Sequence, residues 1–419
     1  MEDNRIILAR RAVEALRSGV PNRDAVRELG VFQDDVTRRF ADLRAELQRG
    51  SPNPQHMVIS AGFGCGKSHL LEYLRHNALE NNCVCSYVVI SKETPLYNLL
   101  KLLRAAAETA VIPGKAGRAI PEILFSHKFS SAEFARLYES AHRDDAFGQR
   151  IAAQLRILEE DPKGAEEVRE TIAREWSGYP VSARDIRSCL KELGLHKEYR
   201  VDKITQGVLA VQLWRFLPRL FRAAGYHGWV ILFDEVELML RYSKLQRAKS
   251  YANVARLAGE IDGFETIGLL PVFATTDDFW TVAFQEKKDP EIPEWLRARG
   301  KPGDAELARD AEVGMRLLKQ PTLLRRAQDE ELEALKHKIR ELHSTAFRWE
   351  APSPAAREKL ASSSVREHVK SWITQLDLML LYPDYRPIVT AETVKQDYFE
   401  DEDLSGDEQD SNADSSDDL

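Results

Sequence analysis

The stretch AGFGCGKS, residues 61–68, decides how the rest of the chain reads. Gly62, Gly64 and Gly66 free the backbone to curl, so that successive N–H groups can point inward at an anion. Ala61 stands where the phosphate-loop pattern more often has glycine, and Phe63 and Cys65 fill the variable positions. Lys67 can then reach β- and γ-phosphates, and Ser68 can put its hydroxyl on Mg2+. The flanks suit this mechanism. HMVIS (56–60) is a short apolar run fit for a buried strand, and SHLLEYLRHNAL (68–79) has helical spacing that begins at Ser68 and His69. A helix N-terminus would add its dipole to the anion site. The expected phosphate site is therefore Ala61, Gly62, Phe63, Gly64, Cys65, Gly66, Lys67, Ser68 and His69, and the expected ligands are a nucleotide triphosphate and Mg2+.

A phosphate loop is shared by many nucleotide-binding proteins, and a second stretch narrows the choice. VILFDE (230–235) is an apolar run that delivers two carboxylates at its end. Ligands of open α/β sheets bind at the carboxyl ends of strands. There Asp234 can hold Mg2+ through water, and Glu235 can polarise an attacking water as general base, with Lys67 as the other catalytic group. A further strand ends in ATTDD (274–278), which makes Thr275 or Thr276 candidates for the γ-phosphate or the nucleophilic water, although threonine also favours strands in its own right. Lys67 and Asp234 lie 167 positions apart. Between them stands an extra strand, VCSYVVIS (84–91). That extra strand, with a Glu beside the Asp, is the arrangement expected of AAA+/STAND-like P-loop ATPases. No guanine-reading NKxD sequence occurs, so adenine, and hence ATP, follows by elimination.

Strands alternating with helices predict an α/β protein, a P-loop NTPase with a parallel sheet, a helical insertion and a C-terminal helical lid. Residues 1–50 read as helices, with Asn22 as an N-cap and Gly30 and Gly50 as stops. Residues 51–112 carry the phosphate-loop half of the core. Residues 113–203 are polar and helical, broken by Pro and Gly at 113–121, 162–164 and 178–180, and read as an insertion. Residues 204–318 carry the acidic strand and its neighbour, with a charged loop region expected over 281–310. Residues 319–396 read as a lid, helical over 320–348 and 354–382. Residues 397–419 form an acidic tail.

That tail holds eleven Asp and Glu and no Lys or Arg, so without it the net charge of −8 becomes +3. It has too little apolar surface to offset its ordering entropy and is expected to be disordered, either as a solubilising tail or as a polyanion that competes with nucleic acid for a basic surface. The 419 residues allow one large domain or several smaller ones, and 43% hydrophobic with 30% charged composition fits a globular protein. No apolar run reaches a membrane span, and MEDNRIILARRAVEAL lacks a signal-peptide core. Four cysteines show no metal-ligand spacing, so reduced thiols in a cytoplasmic protein are expected. Residues 5–49 are rich in Arg, but acids are interleaved, as on solvated helix faces, and no zinc finger or aromatic basic motif marks direct DNA binding.

Beyond these readings, the sequence resembles the ATP-binding proteins of BREX-type bacterial phage-defence loci, the BrxD-like family. The resemblance lies in ARRAVEALRSGVPNRDAVRELG (9–30), GFGCGKSHLLEYLR (62–75) and AAGYHGWVILFDEVELM (223–239), and more loosely in IRELHSTAFRWE (339–350) and SSVREHVKSWITQLDLM (363–379). It implies an AAA+-like core with a helical lid, ATP and Mg2+ binding, and work beside a helicase or other defence components on DNA. In such ATPases a lid Arg often touches the γ-phosphate, and Arg366 in SVREHVK matches its place. An arginine finger reaching a neighbouring subunit of a homo-oligomer has four candidates, Arg297, Arg299, Arg325 and Arg326. The acidic tail departs from the family pattern. Two other readings stay open: an ATP-dependent switch or scaffold that rarely hydrolyses, and a phosphotransferase acting on a small substrate.

Overall fold

Apolar runs with no polar face must be covered on both sides, and here they pair as one five-stranded parallel sheet. A computed structural model of the chain describes residues 2–18, 22–51, 55–62, 65–143, 147–160, 166–354 and 365–382. Phe63, Gly64, the break at 162–164, residues 355–364 and 383–396 of the expected lid, and the acidic tail lie outside the described residues.

In chain order come α1 (Glu2–Ser18), α2 (Arg23–Leu29), α3 (Asp34–Arg49), β1 (Met57–Ala61), α4 (Lys67–Glu80) and β2 (Val84–Val89). Then follow α5 (Leu99–Thr109), α6 (Ala119–Ser126), α7 (Ala132–Arg143), α8 (Gly148–Glu160), α9 (Glu166–Trp176), α10 (Ala183–Glu192) and α11 (Gln206–Ala223). The second half holds β3 (Trp229–Asp234), α12 (Lys244–Leu257), β4 (Leu269–Thr276), α13 (Ile292–Arg299), α14 (Asp304–Leu318), β5 (Thr322–Leu323), α15 (Asp329–Phe347) and α16 (Val365–Leu381). Asn22 caps α2 by accepting from the Ala25 N–H at 2.9 Å, and Gly30 and Gly50, at φ 71° and 72°, stop α2 and α3.

Across the sheet the order is β2-β3-β4-β1-β5. The strand lying between β1 and β3 is therefore β4, while β2, which separates them along the sequence, sits at an edge. Alternation along β3 sorts its side chains. Trp229, Ile231 and Phe233 face one core with the helices from α5 to α14, and Val230 and Leu232 face the other with α3 and α4. Trp229 stacks on Trp214 of α11 at 5.6 Å, meets Phe221 edge-on at 5.2 Å and donates its indole N–H to Ser86 Oγ at 2.8 Å. Each such ring buries on the order of 1.5–3 kcal/mol of transfer free energy. The described part of 113–203 contributes to that first core, so this segment is packed onto one face of the sheet.

A third core joins α1 and α2 to α15 and α16. Ala12, Val13 and Leu16 of α1 pack with Ile339 of α15 and Ile373 of α16. Within residues 1–50, α3 packs in the core with β1 and α4, whereas α1 and α2 share the third core with α15 and α16. Arg17 of α1 ties α16 in place, its guanidinium reaching both carboxylate oxygens of Asp377 at 2.7 and 2.8 Å. Asp377 also accepts from His343 Nε2 at 3.1 Å, while His343 Nδ1 accepts from the Trp349 indole at 2.9 Å. An imidazole that donates through one nitrogen and accepts through the other is neutral.

The segment 281–310 is not the expected charged loop. It holds a π-helical turn (Thr281–Glu286), α13 and the start of α14. Ile292 and Leu296, then Ala308, Ala311, Met315 and Leu318, are buried at helical spacing. The charges that hid this period are internally paired: Arg299 grips Asp304, and Arg247 meets Asp289 at 2.9 Å inside the core. Helix α14 crosses α12 so closely that a Cβ on Gly314 would stand 1.9 Å from the Tyr251 carbonyl oxygen. Gly314→Ala should therefore force the two helices apart and destabilise the protein by roughly 1–3 kcal/mol, read by urea denaturation.

Burial depresses the His343 pKa below its ordinary 6.5. The unfolded imidazole takes up a proton first, so this contribution is present above 6.5 and is lost as pH falls below it. Accordingly, melting temperature should fall less steeply on acidification below 6.5 in His343→Gln than in the wild type.

Candidate functional site

Helix α4 begins at Lys67, straight from the left-handed Gly66 at φ 91°. Only a residue without a side chain adopts that angle at little cost, and nothing stands within 4 Å of where a Cβ would be. The open side of Gly66 is thus the cavity. Gly62 is constrained differently. A Cβ there would come within 2.9 Å of an Asp277 carboxylate oxygen, so this glycine makes room for a side chain at the end of β4.

Asp234 ends β3, and Glu235 then takes a left-handed conformation, φ 58° and ψ 35°, before a 3-10 turn over Val236–Arg241. The strand therefore stops at its first acid. The turn brings Asp234, Glu235 and Glu237 to one cavity together with Ala61, Gly62, Gly66, Lys67, Ser68, Thr276 and Arg366. Lys67 Nζ donates to Glu237 Oε1 at 3.0 Å and lies 3.7 Å from Asp234 Oδ1. Ser68 Oγ is 3.5 Å from Asp234 Oδ2. Asp234 is held from two further sides: the Tyr87 hydroxyl on β2 donates to Oδ2 at 2.6 Å, and the Glu235 N–H donates to Oδ1 at 2.9 Å. Desolvation, then the neighbouring Asp234 charge, push the Glu235 carboxyl above 4.5.

The remaining sequence candidates divide. Thr276 lines the cavity and accepts from Ser60 Oγ through its carbonyl at 2.9 Å. Thr275 is turned into the sheet, its hydroxyl toward the Ile59 carbonyl at 3.4 Å. Cys65 is half-buried, and desolvation raises its thiol pKa. His69 points away from Lys67, its Nε2–H donating to the Gly30 carbonyl at 2.7 Å. Of the four arginine-finger candidates, Arg297 pairs with Glu312, Arg299 with Asp304 and Arg325 with Glu331. Arg326 lies close enough to Cys65 to draw its pKa down.

A second, largely apolar cavity of about 100 Å³ adjoins the first and shares Gly66, Ser68 and Arg366 with it. Val31 and Phe32 between α2 and α3, Leu70 of α4, Leu335 of α15 and Val369 of α16 line it. Sequence reasoning missed this cavity, Tyr87 and Glu237. Tyr87 is brought to the site by pairing across two strands, with Val89 opposite Asp234. Glu237 stood in plain view three residues after Asp234.

The parallel sheet and the glycine-bounded loop before α4 are consistent with a P-loop NTPase-like fold. A family model described as "BREX system ATP-binding protein BrxC/D" matches residues 8–377, and the chain belongs to that family. No curated protein and no solved structure matches it. Among the described residues no helix is long and apolar enough to cross a membrane.

A non-glycine residue held left-handed stores strain, and Glu235 also faces two other carboxylates. Glu235→Gly should therefore raise the stability of the ligand-free protein by roughly 1 kcal/mol. Chemical denaturation measures this, and a loss of stability would refute the strain argument.

Proposed function

We propose that this member of the BREX ATP-binding family is a Mg2+-dependent ATPase of AAA+ type, whose nucleotide state acts on a DNA-processing partner. The observation that carries the reading is the single cavity shared by Lys67, Ser68, Asp234, Glu235, Thr276 and Arg366. Strand order supports it too, since one strand, β4, separates the phosphate-loop strand from the acidic strand.

In this reading the loop from Ala61 to Ser68 cradles the phosphates through backbone N–H groups, and Lys67 binds their terminal oxygens. The adjoining apolar cavity takes the adenine, closed by α15 and α16. Ser68 and Asp234 offer hard oxygen donors side by side, the donor set that suits Mg2+. Bound there, the ion would supply neutralisation of the phosphate charge. Tyr87 fixes the Asp234 carboxylate for that duty. Glu235 accepts a proton from the attacking water, and its raised pKa makes it a stronger base than an ordinary carboxylate. Thr276 orients the same water, and Arg366, from the lid helix α16, faces the γ-phosphate, so lid position follows nucleotide state. A helicase or another defence component on DNA is the expected recipient of that movement.

ATP hydrolysis by the full chain, with and without double-stranded DNA, tests this. Lys67→Ala should abolish binding and turnover. Glu235→Gln should keep binding and lower turnover by about 100-fold or more. Because the base must be ionised, wild-type turnover should decline as pH falls toward the Glu235 pKa, which lies above 4.5. Binding without turnover in the wild type would identify a nucleotide-dependent switch, and stimulation by DNA would make DNA a direct ligand.

A further inference from the structure

The 3-10 turn after β3 carries a carboxylate for which ATP hydrolysis has no assigned use. Glu237 is 1% exposed. One oxygen takes the Lys67 ammonium at 3.0 Å, and the other, Oε2, is buried without a hydrogen-bond partner among the described residues. The charged and titratable groups around it come from several elements: Lys67 from α4, Asp234 and Glu235 from the end of β3, Tyr87 from β2 behind Asp234, Arg241 from the same turn, and Arg366 from α16 on the far side of the cavity.

Phosphate oxygens and the Glu237 carboxylate require the same ammonium. Lysine has three protons to donate, but serving both at once would hold a carboxylate beside a polyanion in a space with little water, where like charges repel strongly. The unpartnered Oε2 shows that the turn already keeps this carboxylate in place at the expense of half its hydrogen-bonding capacity. A residue needed only for packing would not hold a bare oxygen buried beside Lys67.

We propose that Glu237 is a latch on Lys67: it occupies the ammonium in the nucleotide-free protein, the phosphates displace it, and its release loosens the turn Val236–Arg241. The inference rests on the reading of Lys67 as the phosphate-binding lysine. The turn leads directly into Tyr242, whose hydroxyl donates to the Ser91 carbonyl at 3.3 Å and whose ring meets Tyr97 edge-on at 5.2 Å. Displacement of the latch is thereby felt at the segment joining β2 to α5, away from the cavity. Glu237 acts through Lys67 and is a positioning residue.

The test is the affinity of the full chain for ATP in the presence of magnesium, by calorimetry, for wild type, Glu237→Gln and Lys67→Ala. A latch competes with ligand, so Glu237→Gln should bind ATP roughly tenfold more tightly, the worth of one charge-assisted hydrogen bond released. The double variant should bind no better than Lys67→Ala alone. A residue that merely supports the fold would weaken binding when changed. If Lys67→Ala loses binding while Glu237→Gln binds no tighter than wild type, the latch is wrong and the phosphate-site reading stands. If Lys67→Ala binds like wild type, both fall together. Should Glu237→Gln fail to fold, hydrogen exchange on the wild-type protein decides: amides of residues 236–241 should exchange faster with ATP present, and unchanged exchange there refutes the latch.

Discussion

Burial of β3 on both of its faces is the constraint from which the rest of the architecture follows. Trp229, Ile231 and Phe233 need one apolar cover and Val230 and Leu232 another. A strand with two such faces cannot sit at a surface, so helices must flank the sheet on both sides. Parallel neighbours then run in one direction, and all of their carboxyl ends emerge at one edge. The polar side chains of the chain's chemistry have nowhere else to stand. Asp234, Thr276 and the loop after Ala61 are brought together by sheet direction, before any specific contact among them is considered.

Strands β1 to β4 were legible because each is a bounded apolar run, as in HMVIS and WVILFD. Helix stops were legible where glycine marked them, at Gly30 and Gly50. Two other features gave weaker signals. β5 is two residues long, too short to show a period. The helices between 292 and 318 were masked by charges such as Asp289 and Asp304, which are buried against arginines and so count as interior rather than surface. At the site, the position of the glycine loop before α4 and of Asp234 at the end of β3 follows from local apolar runs. That of Tyr87 and of the apolar cavity does not, since it depends on strand register and on the meeting of α2, α15 and α16. Glu237 escaped for another reason: nothing in DEVE announces that Glu235, which is neither Gly nor Asn, turns left-handed and redirects the chain.

The site carries more negative than positive side chains, three carboxylates around Lys67 and Arg366. Such a cavity resists a free polyanion and favours one that arrives with a cation. The left-handed Glu235 and the bare oxygen of Glu237 belong to the same pattern, in which local stability is given up where ligands are to be exchanged. The two cavities meet at Gly66, Ser68 and Arg366, so whatever fills one is read by the other.

Arg17 and Asp377 are bonded across 360 positions of chain. On the ribosome, α1 emerges well before α15 and α16, the helices that cover Ala12, Val13 and Leu16. At typical synthesis rates the interval is roughly twenty to seventy seconds. Throughout it the amphipathic face of α1 has no native cover, and the sheet can assemble before α15 and α16 exist. The nascent chain therefore needs something to shield that face, or a fast provisional burial against its own sheet, until α16 has been made and ends the wait.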